Sequence, residues 1–356
     1  EYNDKYRIHK KEVIYMNVRE KIESFESLTL INEAAFSKKS LGRIKYEEPD
    51  DMRTCYMHDR DRIIQSKSFR RLKHKTQVYI KTSGDHYRTR LTHTLEVSQV
   101  ARNIGVGIGL NENLIEAIAL GHDLGHVAFA HNGEEVLNNY LKDGFRHNEQ
   151  SVRVVNKLEN EGEGLNLTKE VINGILHHSG LGTTKDIITL EGIVVKVSDK
   201  MAYLNHDIDD SIRAGLLGID DIPCEIVKVL GNNSSERLNI LIKDFVNTSN
   251  KNLKNGILEI GLSKEINEAM IELRKFMFKN IYLGDTLKEE RNKAKFILEQ
   301  LIGHFEKYPD KMPSVYRKIV KEEGLQRGVA DYIAGMSDDY CLLLFNKIFV
   351  PKMVVD

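Results

Sequence analysis

Apolar positions recur along most of this chain at spacings of three and four residues, the period of a helix with one buried face. Val97, Val100 and Ile104 follow His93 at i+4, i+7 and i+11; Ile115, Ile118 and Ala119 lead up to His122; Val194, Val197, Met201, Leu204 and Ile208 keep a 3-4-3-4 stripe through one segment. Asn17 to Phe36 reads as an amphipathic helix followed by a polar arm, SKKSLGRIKYEEPDD, and NLTKEVINGILHHSG as a helix ending near Gly180. After Gly215, lysine-rich amphipathic segments are separated by GNNSSE and NKNLKNG, both good turn compositions. Alternating strand patterns are nearly absent, so the expected fold is all-α. The divisions expected are an N-terminal arm and helix over 1–50, a helical core over 51–215, and a helical C-terminal portion over 216–356 packed on that core.

Composition adds limits. The 356 residues are 41% hydrophobic and 29% charged, with five prolines and no tryptophan, which suits one large or two ordinary domains with a substantial core. A formal net charge of -1 argues against a generally basic nucleic-acid binder. Cys55, Cys224 and Cys341 are odd in number, far apart and at no zinc or redox spacing, so a reducing cytoplasm is the expected compartment. No apolar run is long enough to span a membrane and no signal peptide is evident. The polar stretch 1–15 receives no function.

Candidate chemistry concentrates in IALGHDLGHVAFAHNGEE, where His122, Asp123, His126, His131 and Glu134 fall within thirteen residues. Adjacent His122 and Asp123 at a helix end can both turn onto one cation, whereas mid-helix neighbours diverge by about 100°. Alone, the dipeptide is more often a solvated pair. His93, on the buried face of its own segment, is either a satisfied core histidine or a ligand. Asp199 heads a second stripe with Tyr203, His206, Asp207 and Asp210, which reads as the wall of a polar cavity or as a solvated acidic face. Two imidazoles and two carboxylates suit one divalent ion among Mn, Mg, Fe, Ni and Zn. From His58 to Arg90, ten basic residues stand against three acidic ones, pointing to a nearby polyanion or to a solvated helix face. Arg90, one helical turn before His93, is placed to reach a phosphate at the metal.

The order His93, His122-Asp123, Asp199 resembles the HD-domain metal-dependent phosphohydrolase superfamily. The motifs RTCYMHDRDRIIQSKSFRRLKHKTQV, RTRLTHTLEVSQVAR, GHDLGHVAFAHNGEE, FRHNEQSVRVV, SDKMAYLNHDIDD and RGVADYIAGMSDDY are similar to its deoxyguanosine triphosphate triphosphohydrolase branch, over roughly Asp51 to Tyr340. The resemblance implies an HD-type all-α core, a homo-oligomer, and cleavage of a dNTP to deoxynucleoside and inorganic triphosphate. It implies His93, His122, Asp123 and Asp199 as metal ligands, Arg90 and Lys200 on the triphosphate with Tyr203 beside them, Gln77 and Asp207 on the sugar 3′-hydroxyl, and Val78 near sugar and base. It also implies a catalytic His131-Glu134 pair, with His126 and His147 lining the phosphates or acting as plain structural residues. Where the family usually has Pro-Pro-Phe-Gly, this chain has Val127-Ala128-Phe129-Ala130.

Other readings are weighed against it. His177-His178 fits a helix C-terminus better than a metal site. Asp331, Tyr332 and Tyr340 either help close the pocket or pack helices. A ppGpp hydrolase would carry a Glu-Asp pair close after the HD, and a cyclic-dinucleotide phosphodiesterase a Gly-Tyr-Pro motif; neither is present. The competing functions are a 5′-nucleotidase acting on dNMPs and a nucleotide-sensing or single-stranded nucleic-acid-binding protein using the Arg60–Lys75 stretch.

Overall fold

A computed structural model describes residues 16–77, 87–180, 184–282, 284 and 288–352. Sixteen α-helices run through the described residues: α1 Val18–Thr29, α2 Cys55–Gln65, α3 Lys67–Arg71, α4 Arg90–Ile108, α5 Glu112–Gly121, α6 His131–Tyr140, α7 His147–Arg153, α8 Lys169–His177, α9 Leu190–Arg213, α10 Cys224–Leu230, α11 Ser234–Lys254, α12 Lys264–Met277, α13 Lys288–Lys307, α14 Ser314–Glu323, α15 Leu325–Ala334 and α16 Asp338–Phe349. Pairing between extended segments among them is confined to two isolated bridges, Arg43 with Thr168 and Thr76 with Thr89. The all-α expectation holds. No helix among the described residues is long and apolar enough to cross a membrane.

Local signals set most boundaries. Asn17 caps α1 reciprocally with Glu20, Thr89 caps α4, and the Asn111 side chain accepts from the Asn113 and Leu114 N–H groups at the start of α5. Gly109 ends α4 in the left-handed region with φ 93°. The first helix stops earlier than Phe36, because beyond Thr29 the backbone of Ile31 donates to Gly109 O at 2.9 Å. That contact lies in the third dimension and leaves no trace in the spacing of apolar residues.

The apolar residues gather in two buried clusters. One joins the stripes of α4, α5, α8 and α9 to α2, α11 and α12, with Ile104, Ile115, Ile118, Val194 and Met201 fully buried. The other joins Val127–Phe129 and α6 to α13, α15 and α16. The C-terminal helices therefore divide their allegiance: α10 to α12 extend the first cluster, and α13, α15 and α16 wrap the loop that follows the His-Asp pair. Helices α5 and α8 cross closely enough that a Cβ on Gly174 would meet Ile118 Cδ1 at 2.5 Å, which brings the end of α8 beside His122.

Candidate metal centre and active site

Three elements converge on one point. His93 faces inward from the first turn of α4, His122 and Asp123 follow the last residue of α5, and Asp199 comes from the middle of α9. Ligand atoms of His93, His122 and Asp123 lie mutually within 4.8 Å. Nε2 of His93 is 3.2 Å from Asp199 Oδ1 and 3.8 Å from Asp123 Oδ2; Nε2 of His122 is 3.4 Å from Asp123 Oδ1 and 3.9 Å from Asp199 Oδ1. Ligands about 2.0–2.2 Å from a common divalent ion stand about 2.9–4.2 Å apart, so these separations fit.

The tautomers fit as well. His122 donates from Nδ1 to Ala119 O at 2.6 Å, and its buried Nε2 has no protein partner. Nε2 is thus the nitrogen turned to the two carboxylates, the usual orientation of a metal-ligating imidazole, and a bound metal would take the place of its proton. His93 Nδ1 is 2.9 Å from His206 Nε2, while His206 Nδ1 stands 2.8 Å from Asp207 Oδ1, an ion-pair contact too bent for a good hydrogen bond. Burial works to raise the carboxyls of Asp123 and Asp199. For Asp123 the charges of His122, His126 and Arg90 outweigh it, and for Asp199 the hydrogen bond and charge of His93 do, with the charge of His122, so both lie well below the usual carboxylate range.

Arg90 is nearly fully buried, donates from Nη1 to Asp123 Oδ2 at 2.8 Å, and keeps Nε without a partner. One edge of the guanidinium therefore holds the Asp123 carboxylate, while Nε, buried beside the cavity that Arg90 lines, has no hydrogen-bond acceptor. Four of the nine other basic residues expected to face a polyanion are answered by carboxylates inside the chain: Arg60 by Glu116 at 3.1 Å, Arg62 by Glu47 at 2.6 Å, Lys67 by Glu161 at 2.7 Å and Arg88 by Asp210 at 2.7 Å. Part of the charge excess of that stretch is therefore structural.

The turn after the His-Asp pair is tied down by α7. Ser151 Oγ donates to His122 O at 2.6 Å and accepts from Gly125 N at 2.9 Å, and a Cβ on Gly125 would meet Ser151 N at 2.2 Å. Any side chain there would drive the turn off α7. His126 and His147 then stack, with ring centroids 4.1 Å apart and planes 18° from parallel. Together with Asp123 they form a second group whose ligand atoms lie within 4.8 Å. A cation shared by two stacked rings would fall outside both ring planes, so the pair is better suited to flank an anion than to hold a second metal.

Glu134 sits between two imidazoles. Its Oε1 accepts from the His147 backbone at 2.9 Å and from His147 Nδ1 at 3.0 Å, and its Oε2 is 3.6 Å from His131 Nδ1. The sequence pointed to His131 as its partner; the firmer contact is with His147. Burial opposes both charges, yet hydrogen bonds from His131 and His147 hold Glu134 well below the usual range, and Glu134 raises His147. The depressed carboxyl contributes stability above about pH 4.5, and the raised imidazole contributes below about pH 6.5, so the pair acts most strongly between those values. His147→Gln is expected to cost more stability at pH 5.5 than at pH 8.5 in chemical denaturation. An equal loss at both pH values would mean that no ion pair forms.

The same elements wall a cavity of about 530 Å³, lined among others by Gln77, Arg90, His93, Asp123, His126, His131, His147, Asp199, Lys200, Tyr203 and Asp207. Of the residues singled out from the sequence, His122 and Glu134 stand just behind this lining, and Val78 lies outside the described residues. Gln77 Oε1 is buried without a partner. Burial lowers Lys200 and raises Tyr203 to about 12; Tyr203 accepts from Arg274 Nε at 2.8 Å. Asp207 is bonded by the Tyr282 hydroxyl.

Sequence reasoning missed several residues. His178 is fully buried, donates from Nδ1 to Ile175 O at 2.7 Å, and turns Nε2 to within 3.3 Å of His147 Nε2; burial pushes it down to about 3. It lines the cavity rather than serving only the helix end. Arg274, Phe278 and Tyr282 close the far wall, the Arg274 guanidinium lying 4.4 Å from the Phe278 ring centroid. Their i, i+4, i+8 spacing was readable, but it matches any helix face. Asp331 instead pairs with Arg153 at 2.6 Å and with Arg327, and Tyr332 and Tyr340 face one another across 3.4 Å, outside this cavity.

The loop between α5 and α6 carries strain. Phe129 has φ 61°, and Ala130 has φ 55° with ψ -132°, a combination that glycine adopts freely and a Cβ disfavours. Such a residue costs about 1–3 kcal/mol, against a smaller loss from the more flexible unfolded chain when glycine replaces it. Ala130→Gly should therefore stabilise the protein by about 1 kcal/mol, read as a Tm increase of about 1–2 °C. A lowered Tm would show that the backbone is relaxed there.

Comparison with known proteins gives two family matches, the HD domain over residues 90–204 and a phosphohydrolase-associated domain over residues 260–347. A deoxyguanosinetriphosphate triphosphohydrolase-like protein of Clostridium tetani is 62% identical over 343 residues, 96% of this chain and 98% of its own length. Proteins of the same description from Clostridium perfringens and Desulfatibacillum aliphaticivorans are 60% and 43% identical, each covering 96% of this chain and all of their own length.

Proposed function

This chain belongs to the deoxyguanosinetriphosphate triphosphohydrolase-like family of HD phosphohydrolases and is a metal-dependent hydrolase, and on that premise we propose that it cleaves deoxynucleoside triphosphates, dGTP among them, to deoxynucleoside and inorganic triphosphate. The observation that carries the reading is Arg90, which binds a metal ligand with one guanidinium edge and keeps Nε unpartnered beside a cavity of nucleotide size.

His93, His122, Asp123 and Asp199 would hold the ion, which when bound lowers the pKa of a water ligand toward about 7 and polarises a phosphoryl oxygen. Everything else is work for the side chains. Water adds to the α-phosphorus and the bond to the 5′-oxygen breaks, so charge on the phosphates must be balanced and the leaving oxygen protonated. Arg90 and Lys200 supply positive charge, and His126 and His147 flank the chain of phosphates. His131 opens α6 at the cavity with its side chain 77% exposed, placed to hand a proton to the leaving oxygen, and Glu134 orients it. Buried and unpartnered, Gln77 Oε1 is suited to accept from a 3′-hydroxyl, and Asp207 to share it.

The test is product identity. Incubation of the purified protein with each dNTP and Mn or Mg should release inorganic triphosphate and the deoxynucleoside. Orthophosphate from a dNMP would support the 5′-nucleotidase reading instead, and no turnover with binding alone would support a sensor. The same family reading carries assembly as a homo-oligomer; light scattering checks it, and Phe25 and Leu28 on α1, 64% and 79% exposed, are apolar surface for such contacts.

A further inference from the structure

The strained loop needs something to hold it, and the holder comes from the far end of the chain. Asp338, in the first turn of α16 and 5% exposed, accepts at Oδ1 from Phe129 N at 3.0 Å. Its Oδ2 accepts from Thr76 N at 3.0 Å and from Thr76 Oγ1 at 2.7 Å. Three donors thus saturate one buried carboxylate, and the start of α16 adds a favourable helix dipole. Beside it the Lys75 ammonium bonds to His126 O and, at 3.2 Å, to Ala334 O at the end of α15. The two segments gripped this way are those that deliver cavity residues. Thr76 precedes Gln77, and Phe129 precedes Ala130 and His131. The fit behind the loop is tight, since a Cβ on Gly133 would meet Ala128 O at 2.1 Å.

We propose that Asp338 is a positioning residue of the active site, a carboxylate that registers the Gln77 segment against the His131–Glu134 helix and holds the Phe129-Ala130 backbone in its left-handed conformation. It touches no substrate. It acts through the backbone of residues 76 and 129, so the C-terminal helices complete the site as well as cover it. The role in catalysis rests on the function proposed above; the role in holding the loop does not.

Asp338→Asn keeps the size of the side chain but offers one acceptor where three donors converge. In the metal-free protein, amide hydrogen exchange across residues 126–134 should rise about tenfold while α4 and α9 keep their protection. Affinity for Mn, measured by titration calorimetry, should stay within about twofold because no ligand moves. With dNTP, kcat should fall about 10- to 100-fold and KM change less, since a misplaced donor near the reacting centre costs rate first. Adding Ala130→Gly should restore part of kcat, because glycine adopts the loop conformation without the clamp. A residue that merely packs α16 would not be rescued from position 130.

Thr76→Val, which removes only the hydroxyl bond, should show the same pattern more weakly and serves if Asp338→Asn does not fold. Unchanged exchange at 126–134, exchange raised uniformly over the whole chain, or no rescue by Ala130→Gly would each overturn the proposal. If the unmodified protein hydrolyses no dNTP, the functional reading fails, and the exchange measurements still decide whether Asp338 holds the loop.

Discussion

Asp199→Ala is expected to abolish metal binding and turnover together. The Asp199 carboxylate stands 3.2 Å from His93 Nε2 and 3.9 Å from His122 Nε2, so its loss removes one of two negative charges facing both imidazoles. Even partners behind a ligand cost about 10–100-fold in metal affinity when removed, and loss of a ligand should exceed about 100-fold. Titration with Mn measures the first effect, and product release at saturating metal the second. The fold should survive, because the apolar stripe of α9 is on another face: Val194, Met201, Leu204 and Ile208 are buried in the main cluster. Substantial metal-dependent activity in this variant would remove Asp199 from the centre.

The second large effect belongs to Arg90. Arg90→Ala should lower kcat/KM for a dNTP about 100- to 1,000-fold, the range typical for loss of a preorganised charge facing the transition state. Part of that could come through the metal, since Arg90 Nη1 holds Asp123 Oδ2 at 2.8 Å. Measuring kcat/KM at saturating Mn separates the two routes. Arg90→Lys should recover little, because an ammonium cannot bind the carboxylate and a phosphate on two edges at once. Recovery close to the unmodified rate would reduce Arg90 to a point charge.

Some of this site was legible before any coordinates. Helical periodicity placed His93 on a buried face, ended the stripe of α5 at His122, and separated Asp199 and Asp207 from the apolar side of α9, and those placements match the geometry observed. Each is a property of one helix, and helical spacing reports it faithfully. Residues whose role depends on a neighbour from another helix were read less well. His178 was read as a helix-end histidine because nothing near it in sequence distinguishes it; its value comes from His147, 31 positions earlier. The basic stretch was read partly as an anion site because its countercharges, Glu47, Glu116, Glu161 and Asp210, are scattered along the chain.

Local pattern was enough for an all-α chain, for the family, and for singling out His93, His122, Asp123 and Asp199, which meet at one point, since periodicity and motif spacing are encoded within a few turns of each residue. Folding in three dimensions chose the pairing of Glu134 with His147, the far wall of Arg274, Phe278 and Tyr282, and the grip of Asp338 on Phe129 across 209 positions. Hydrogen bonds and stacked rings depend on distances of a few ångströms between side chains, and no spacing along a chain specifies which distant residue will arrive there.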